Sequence, residues 1–575
     1  MQVQNWSDRL LRRPRRSMPA GLRKPPQLSG GYPLVGHSVE FIRSTVGLLE
    51  RARREEGEIA AFQVFNRKMV AVFGPEAHEA VFRAPDSILS PSEAYKIMTP
   101  VFGKDIVYDA PPEKMAEQLK MLLPALKDKR MRTYGEAVVS ETEASVQKWG
   151  ESGVVDFVDF CRVLTNFTSS RCLLGAEFRD GMTEEFAAVY HDLEKGVTPL
   201  AYINAHLPIP SFRKRDKARV RMVEMITNII DARRREKRTG EDFLQTLMDS
   251  RYADGRSLSE NEITGMLLAG MFAGHHTSSV TTAWTLIELL RTPDYRKRVL
   301  QEIDSVFGDG KRVSHAALRE LTLTENAVKE SLRLHPPLFM LVRVVKQDFT
   351  YKSYFIEKGT WIIISPTVSH QIPEVFAKPL EFDPDRFLPP REEDKRDFAY
   401  IAFGGGRHKC LGNAFAILQI KAIIALLLGQ YDLELAGDPI ESDFHGLVIG
   451  PKEPCRIRYR RRAQPSVTMA VARDLAEIAS AEAMNAAAAG HAAHGGNGTN
   501  GSAAKPAMKK LKITLDRDLC QGHAVCVGEA PDVFRLGADG KVQLIVDGDL
   551  PLSQYGQVHA AEQYCPTRTI KLHYE

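Results

Sequence analysis

The chain has 575 residues, room for several domains of ordinary size. With 43% hydrophobic and 26% charged residues it is globular, neither fibrous nor mainly disordered. A net charge of +4 over this length argues against a nucleic-acid partner, and seven scattered cysteines argue for a reducing compartment rather than a disulfide scaffold.

Residues 1–24 form a basic arm, with Arg9, Arg12, Arg13, Arg15, Arg16, Arg23 and Lys24 against Asp8 alone. No apolar run follows that could act as a signal core or a transmembrane segment. A solvated arm is the default, and Trp6, Leu10 and Leu11 leave room for a weak membrane-surface contact with anionic lipid. Residues 25–463 read as one large, mainly helical domain with small β-sheets. Within it, 263–290 and 413–428 are apolar over most of their circumference and are predicted to be buried helices, and 361–364 to be a short strand. Residues 464–507 form an Ala/Gly-rich linker by composition, helix-leaning in its first half and flexible in its second. Normal composition returns over 508–575, where LKITL and KVQLIV alternate like strands and Gly537-Ala-Asp-Gly540 marks a turn. These features predict a small α+β domain.

The most informative segment is Phe403-Gly-Gly-Gly-Arg-His-Lys-Cys410-Leu-Gly412, followed at once by a helix. Its glycines allow positive φ and close backbone approach to a flat ligand. The helix start offers free N–H groups and a positive dipole end to an anionic sulfur. A thiolate beside a planar macrocycle is what a haem-thiolate enzyme needs, because it pushes electron density towards O–O cleavage. A cysteine nucleophile of the thiol-phosphatase kind would want an arginine six residues on, where Ala416 stands. Upstream, Glu330 and Arg333 share a helix face at i and i+3, and Arg386 could add a second cation to that carboxylate.

These residues resemble the cytochrome P-450 family. Phe403, Gly406, Cys410 and Gly412 match its F-x-x-G-x-x-x-C-x-G signature, Glu330 and Arg333 its E-x-x-R pair, and 379–387 its meander segment. The resemblance implies the cytochrome P-450 fold, haem b bound through Cys410, and a monooxygenase that uses O2.

Gly270, Gly274 and Thr277 lie in the longer apolar helix, where interior glycines point to a groove or a close approach. The Thr277 hydroxyl can bond back to the Ala273 carbonyl or turn towards the oxygen side of the haem. Before it stands His276 where the family commonly has an acid. The run Gly274-His-His-Thr-Ser-Ser279 resembles the sterol 14α-demethylase branch, where a histidine takes this position and can relay protons. The same resemblance pairs Glu194 with His276. It also places Tyr95, Ile97, Phe102 and Val107 over a sterol, with Tyr95 and Tyr108 near the haem propionates. Arg343 and His408 match further propionate partners. The basic residue expected after Glu117-Gln118 is replaced by Leu119, leaving Lys120 one place on. Ile97 stands where some branch members carry Phe, which in the family accompanies tolerance of a second C4 methyl and implies a lanosterol-like substrate.

In the last domain, Cys520-Gln-Gly-His523-Ala-Val-Cys526 and, much later, Cys565-Pro566 have the spacing of iron–sulfur ligands. The segment resembles single-cluster bacterial ferredoxins. Members with four irons have a cysteine where His523 stands, so [3Fe-4S] is preferred. A [4Fe-4S] cluster completed by His523 or water, and zinc in a Cys3His site, are the alternatives. Cys161, Cys172 and Cys455 lack such context and read as inert buried thiols.

The resemblance over both domains implies a cytoplasmic, bacterial sterol 14α-demethylase that draws electrons from its own ferredoxin domain. The chain has no flavin or nicotinamide fingerprint, so an external NAD(P)H-dependent ferredoxin reductase is expected to load it. Lys409 is expected to meet an acidic patch of that domain. A haem-thiolate hydroxylase of a terpenoid or fatty acid, and a non-catalytic haem and iron–sulfur redox protein, are the other readings.

Overall fold

A computed structural model describes residues 18–467 and 511–574, apart from 127, 181–183, 198–200, 241, 309–311, 438, 445–447, 547–549, 552–553, 564 and 566. Most of the basic arm and of the linker, Trp6, Leu10 and Leu11 included, lies outside the described residues.

The large domain is built around two helices. Glu260–Arg291 starts at a reciprocal cap, in which the Ser259 hydroxyl accepts from the Glu262 N–H while the Glu262 carboxylate accepts from the Ser259 N–H. Asn413–Gln430 is long and apolar enough to match a bilayer span, but most of it is buried in the protein. An all-round apolar helix needs such cover. Asp128–Val146, Phe157–Ser169 and Thr322–Leu334 pack around the pair and close the main core.

A five-stranded sheet flanks the helices in the order Ile59–Val64, Arg67–Val72, Trp361–Ile364, Leu341–Val345, Leu89–Ser90. Only the contact of Arg67–Val72 with Trp361–Ile364 is parallel. A second sheet joins Ser152–Asp156, Arg456–Arg461 and Tyr431–Leu435. The small domain consists of the pair Leu511–Leu515 and Ile570–Tyr574, a hairpin Phe534–Leu536 with Val542–Leu544, and helices Val525–Glu529 and Tyr555–Gln563.

Both expected limits of the large domain move outward. Arg23 belongs to the fold rather than to a free arm. Its N–H donates to the Ser353 carbonyl at 2.9 Å, and its own carbonyl accepts from Phe355 at 2.8 Å. At the other end packing continues to Val467, whose fully buried side chain covers Gly429. An apolar residue four places past the expected boundary is held where a glycine leaves room.

Candidate active site: the haem loop, the central helix and the cluster cavity

The Cys410 loop is closed by its own backbone. The Cys410 N–H donates to the Phe403 carbonyl at 2.9 Å, and Gly404 to Ile401 at 2.8 Å. Gly406 has φ +63°, and a Cβ there would lie 2.1 Å from the Phe82 carbonyl, so only glycine fits. Burial raises the Cys410 thiol, while the Gly412 N–H and Lys409 pull it back. Yet the cysteine is exposed. A sulfur that is both enclosed and accessible faces an internal space.

On the central helix, Ala273 is exposed and Thr277 half-buried, while Met271, His275, Ser278 and Ser279 are buried. Gly270 and Gly274 do not open this space. A Cβ at Gly270 would come within 3.2 Å of Phe243 and one at Gly274 would touch Ser169 and Leu173 at ordinary contact distance, so both glycines face packed neighbours and Ala273 faces the opening. The Thr277 hydroxyl donates back to the Ala273 carbonyl at 2.5 Å. His276 Nε2 lies 2.7 Å from Glu194 Oε1. Burial alone would raise the Glu194 carboxyl, but the imidazoles of His275 and His276 beside it outweigh that and hold it at about 2.

The expected propionate partners divide. Tyr95 and Arg343 come together: burial raises the Tyr95 hydroxyl against the pull of Arg343 and of a hydrogen bond with the Val342 backbone. Arg343 is buried on strand Leu341–Val345 and donates to the Val342 carbonyl at 2.9 Å. His408, by contrast, commits Nε2 to Asp86 at 2.7 Å, a partner over three hundred residues upstream that its own segment gave no sign of. Lys120 is exposed on Pro112–Leu122, whose inward positions are Met115, Gln118 and Met121. Tyr108 lies in the turn Val107–Asp109, and its side chain is outside the described residues.

Ile97, Phe102 and Val107 are all buried. Ile97 packs with Ala201, Ala205 and Phe212, and Phe102 stands edge-on to Phe272 of the central helix at 5.8 Å. Two residues missed by the sequence reading fix this segment. Gly265 approaches so closely that a Cβ would lie 2.0 Å from the Phe102 carbonyl. Arg219 donates to the same carbonyl at 3.0 Å, and burial lowers its guanidinium to about 10.

Beneath the loop, Glu330 is fully buried between two cations. Arg333 donates to it twice, at 2.8 and 2.9 Å, and Arg386 once, at 2.9 Å. The two guanidiniums then fan out to the carbonyls of His370, Pro379 and Ala377. His370, also buried, accepts from the Ile401 N–H at 3.0 Å and donates to the Arg333 carbonyl at 3.1 Å, linking the triad to the start of the loop.

In the small domain, Cys520, Cys526, Cys565 and His523 line one cavity. Burial first, then Cys565 and Cys520, push the Cys526 thiol up to about 12. The Val542 N–H donates to the Cys520 sulfur at 3.3 Å. Three converging thiols with a hydrogen bond to sulfur suit an iron–sulfur cluster. His523 is held neutral, at about 4, by burial and by Lys409. Cys161, Cys172 and Cys455 are buried with raised thiols, as expected of inert core residues.

The small domain sits on the Cys410 side of the large one. Arg83–Asp516 and Arg319–Glu529, both 2.7 Å, put the cation on the large domain. Arg568–Asp394 at 2.5 Å and Lys571–Asp397 at 2.6 Å reverse that polarity. Among the described residues, Lys409 meets no acidic patch. Burial and Arg568 lower its ammonium to about 8, and it is the Lys409 carbonyl that binds, accepting from the Gln521 amide at 2.9 Å. A cavity of ≈ 300 Å³ lies at this junction, lined by Phe403, Gly404 and Lys409 on one side and His523, Cys565 and Arg568 on the other.

Comparison with known proteins agrees with this geometry. The cytochrome P450 family model matches residues 25–456, and the 4Fe-4S single cluster domain model matches 513–572. The chain is 43% identical to the sterol 14alpha-demethylase of Mycolicibacterium vanbaalenii, over 76% of this chain and 98% of that protein. It is 40% identical to the sterol 14-demethylase of Arabidopsis thaliana over 76% and 92%, and 35% identical to the lanosterol 14-alpha demethylase of Mus musculus over 78% and 90%. Among solved structures, retinoic acid bound cyanobacterial CYP120A1 superposes with a TM-score of 0.69 at 23% identity, covering 77% of this chain and all of that one, which supports the fold. The chain therefore belongs to the cytochrome P450 family, in its sterol 14α-demethylase branch, and ends in a single-cluster ferredoxin-type domain.

Proposed function

We propose that this monooxygenase removes the 14α-methyl group of a lanosterol-like sterol as formate, in three successive oxidations, with electrons passed inside the chain from the ferredoxin domain. Likeness to proteins named sterol 14α-demethylases, spanning almost their whole length, supports the substrate class. The carrying observation is the 2.7 Å contact of Glu194 with His276, one residue before Thr277. Haem bound through Cys410 supplies reductive activation of O2 and oxygen insertion into a C–H bond.

The protein supplies protons, substrate contacts and an electron route. His276 is partly exposed and takes protons from solvent, Glu194 holds its ring, and the Thr277 hydroxyl, freed from the Ala273 carbonyl, donates towards the oxygen side. Ile97, Phe102 and Val107 give an apolar wall for the sterol, and Ile97 leaves room for a second C4 methyl. Three cysteines with His523 in the fourth position favour a [3Fe-4S] cluster, loaded by an external NAD(P)H-dependent reductase in a reducing, cytoplasmic setting. From the cluster loop, Gln521 reaches the carbonyl next to Cys410, so a docked carrier replaces a bimolecular encounter.

The test incubates the purified holoenzyme with lanosterol, NADPH and a ferredoxin reductase. One formate and one 14-demethylated sterol per three O2 are expected. Accumulation of a monohydroxylated product alone would overturn the assignment.

A further inference from the structure

His275 is neither a haem-side residue nor an inert core histidine. Its Nε2 lies 2.9 Å from the Arg162 carbonyl, which can only accept, so Nε2 carries the proton. In the neutral ring Nδ1 is then a bare lone pair. That nitrogen is buried, has no hydrogen-bond partner, and faces Glu194 Oε1 at 3.4 Å. The residue is only 3% exposed, so no bulk water relieves a lone pair aimed at a carboxylate oxygen. A cation between the two atoms does.

We propose that Glu194, His275 and His276 form a binding site for a divalent transition-metal ion, with Zn2+ as the best fit. Their donor atoms lie within 4.8 Å of one another, and two histidines with one carboxylate are a zinc donor set. Tetrahedral ligands at ~2.0–2.1 Å from zinc stand ~3.3–3.4 Å apart, the spacing of His275 Nδ1 and Glu194 Oε1. The Arg162 carbonyl supplies the outer hydrogen bond that orients a ligating imidazole. His276 Nε2, 2.7 Å from the same Glu194 oxygen, draws back by about 0.6 Å to the ligand spacing, closes the site from the partly exposed side and leaves a fourth position to water. To bind through Nε2, the His276 ring carries its proton on Nδ1. Resting on the proton path proposed above, an ion here takes Glu194 and His276 out of the relay and slows turnover while the sterol stays bound.

Zn2+ is titrated into the holoenzyme by calorimetry, with Glu194→Gln and His275→Asn in parallel and the ferrous carbonyl spectrum confirming that each variant is folded. The wild type is expected to show a site whose affinity drops about 10–100-fold in each variant. Anomalous scattering from a zinc-soaked crystal should place the ion on His275 Nδ1 and Glu194. Equal zinc affinity in wild type and variants, or density elsewhere, overturns the site. Binding at the site with unchanged turnover leaves the site standing and overturns the relay instead.

Discussion

The Gln521 side-chain amide donates to the Lys409 carbonyl at 2.9 Å, joining the residue after Cys520 to the residue before Cys410. The same amide also reaches the Arg407 carbonyl at 3.4 Å, so one side chain ties the cluster loop to the haem loop. Removing it with Gln521→Ala costs about 1 kcal/mol of docking, so the docked population relative to the undocked falls about five-fold. The rate of intramolecular haem reduction after flash reduction of the cluster should fall with it. An unchanged rate means that electrons do not depend on this contact.

The four ion pairs between the domains among the described residues make docking sensitive to salt. Arg319→Glu sets two acids face to face at Glu529 and should lower the salt concentration at which intramolecular reduction halves. The double exchange Arg319→Glu with Glu529→Arg should restore most of it. Failure of that rescue contradicts the docked arrangement.

Glu330 is buried against Arg333 and Arg386. Glu330→Gln leaves the buried Arg333 without its anion and Arg386 with Glu393 alone, at a cost of about 3–5 kcal/mol. Urea unfolding should shift accordingly, with loss of the ferrous carbonyl spectrum at a urea concentration the wild type withstands. A shift below 1 kcal/mol would show that the backbone carbonyls and Glu393 suffice to carry the two cations.

His78 and His370 are fully buried and neutral. Nδ1 of each faces a carbonyl, of Phe398 and Arg333 respectively, so each Nε2 accepts, from Ser369 Oγ and from the Ile401 N–H. Burial lowers His78 from 6.5 to about 4 and, with Arg333, lowers His370 to about 3. The unfolded chain therefore binds more protons below pH 6.5. Stability is fully present above 6.5 and falls as pH drops towards 4, by up to about 1.4 kcal/mol per pH unit for each histidine. Thermal unfolding across pH 7 to 4 should show this slope, reduced in His78→Gln. A flat profile in this window contradicts neutral burial.

His523 lines the cavity of the three cysteines. His523→Cys supplies a fourth thiolate and should convert the oxidised [3Fe-4S] signal in electron paramagnetic resonance to that of a reduced [4Fe-4S] cluster. A wild-type protein already holding four irons would refute the preference for three.

Much of this site was legible because it is written locally. The Cys410 loop carries its glycines and helix start within ten residues, and Glu330, Arg333 and Arg386 lie in two short motifs. The helices Glu260–Arg291 and Asn413–Gln430 follow from apolar residues all round their axes. What escaped depends on distant partners. Asp86 meets His408, and Ser369 meets His78, across about three hundred residues of sequence. Gly265 and Arg219 hold Phe102 through its carbonyl, which no side-chain pattern announces. Lys409 misled for a related reason: its charge suggested an electrostatic contact, whereas its backbone makes the bond.

The opposed polarity of the interdomain ion pairs has a consequence for traffic. Two cations face the small domain and two face the large one, so the tether, not long-range attraction, brings the partners together, and the alternation works as a key for one orientation. A freely diffusing, uniformly acidic carrier presented to this face runs into Asp394 and Asp397. A uniformly acidic carrier added in trans should therefore reduce the haem more slowly than the fused domain does.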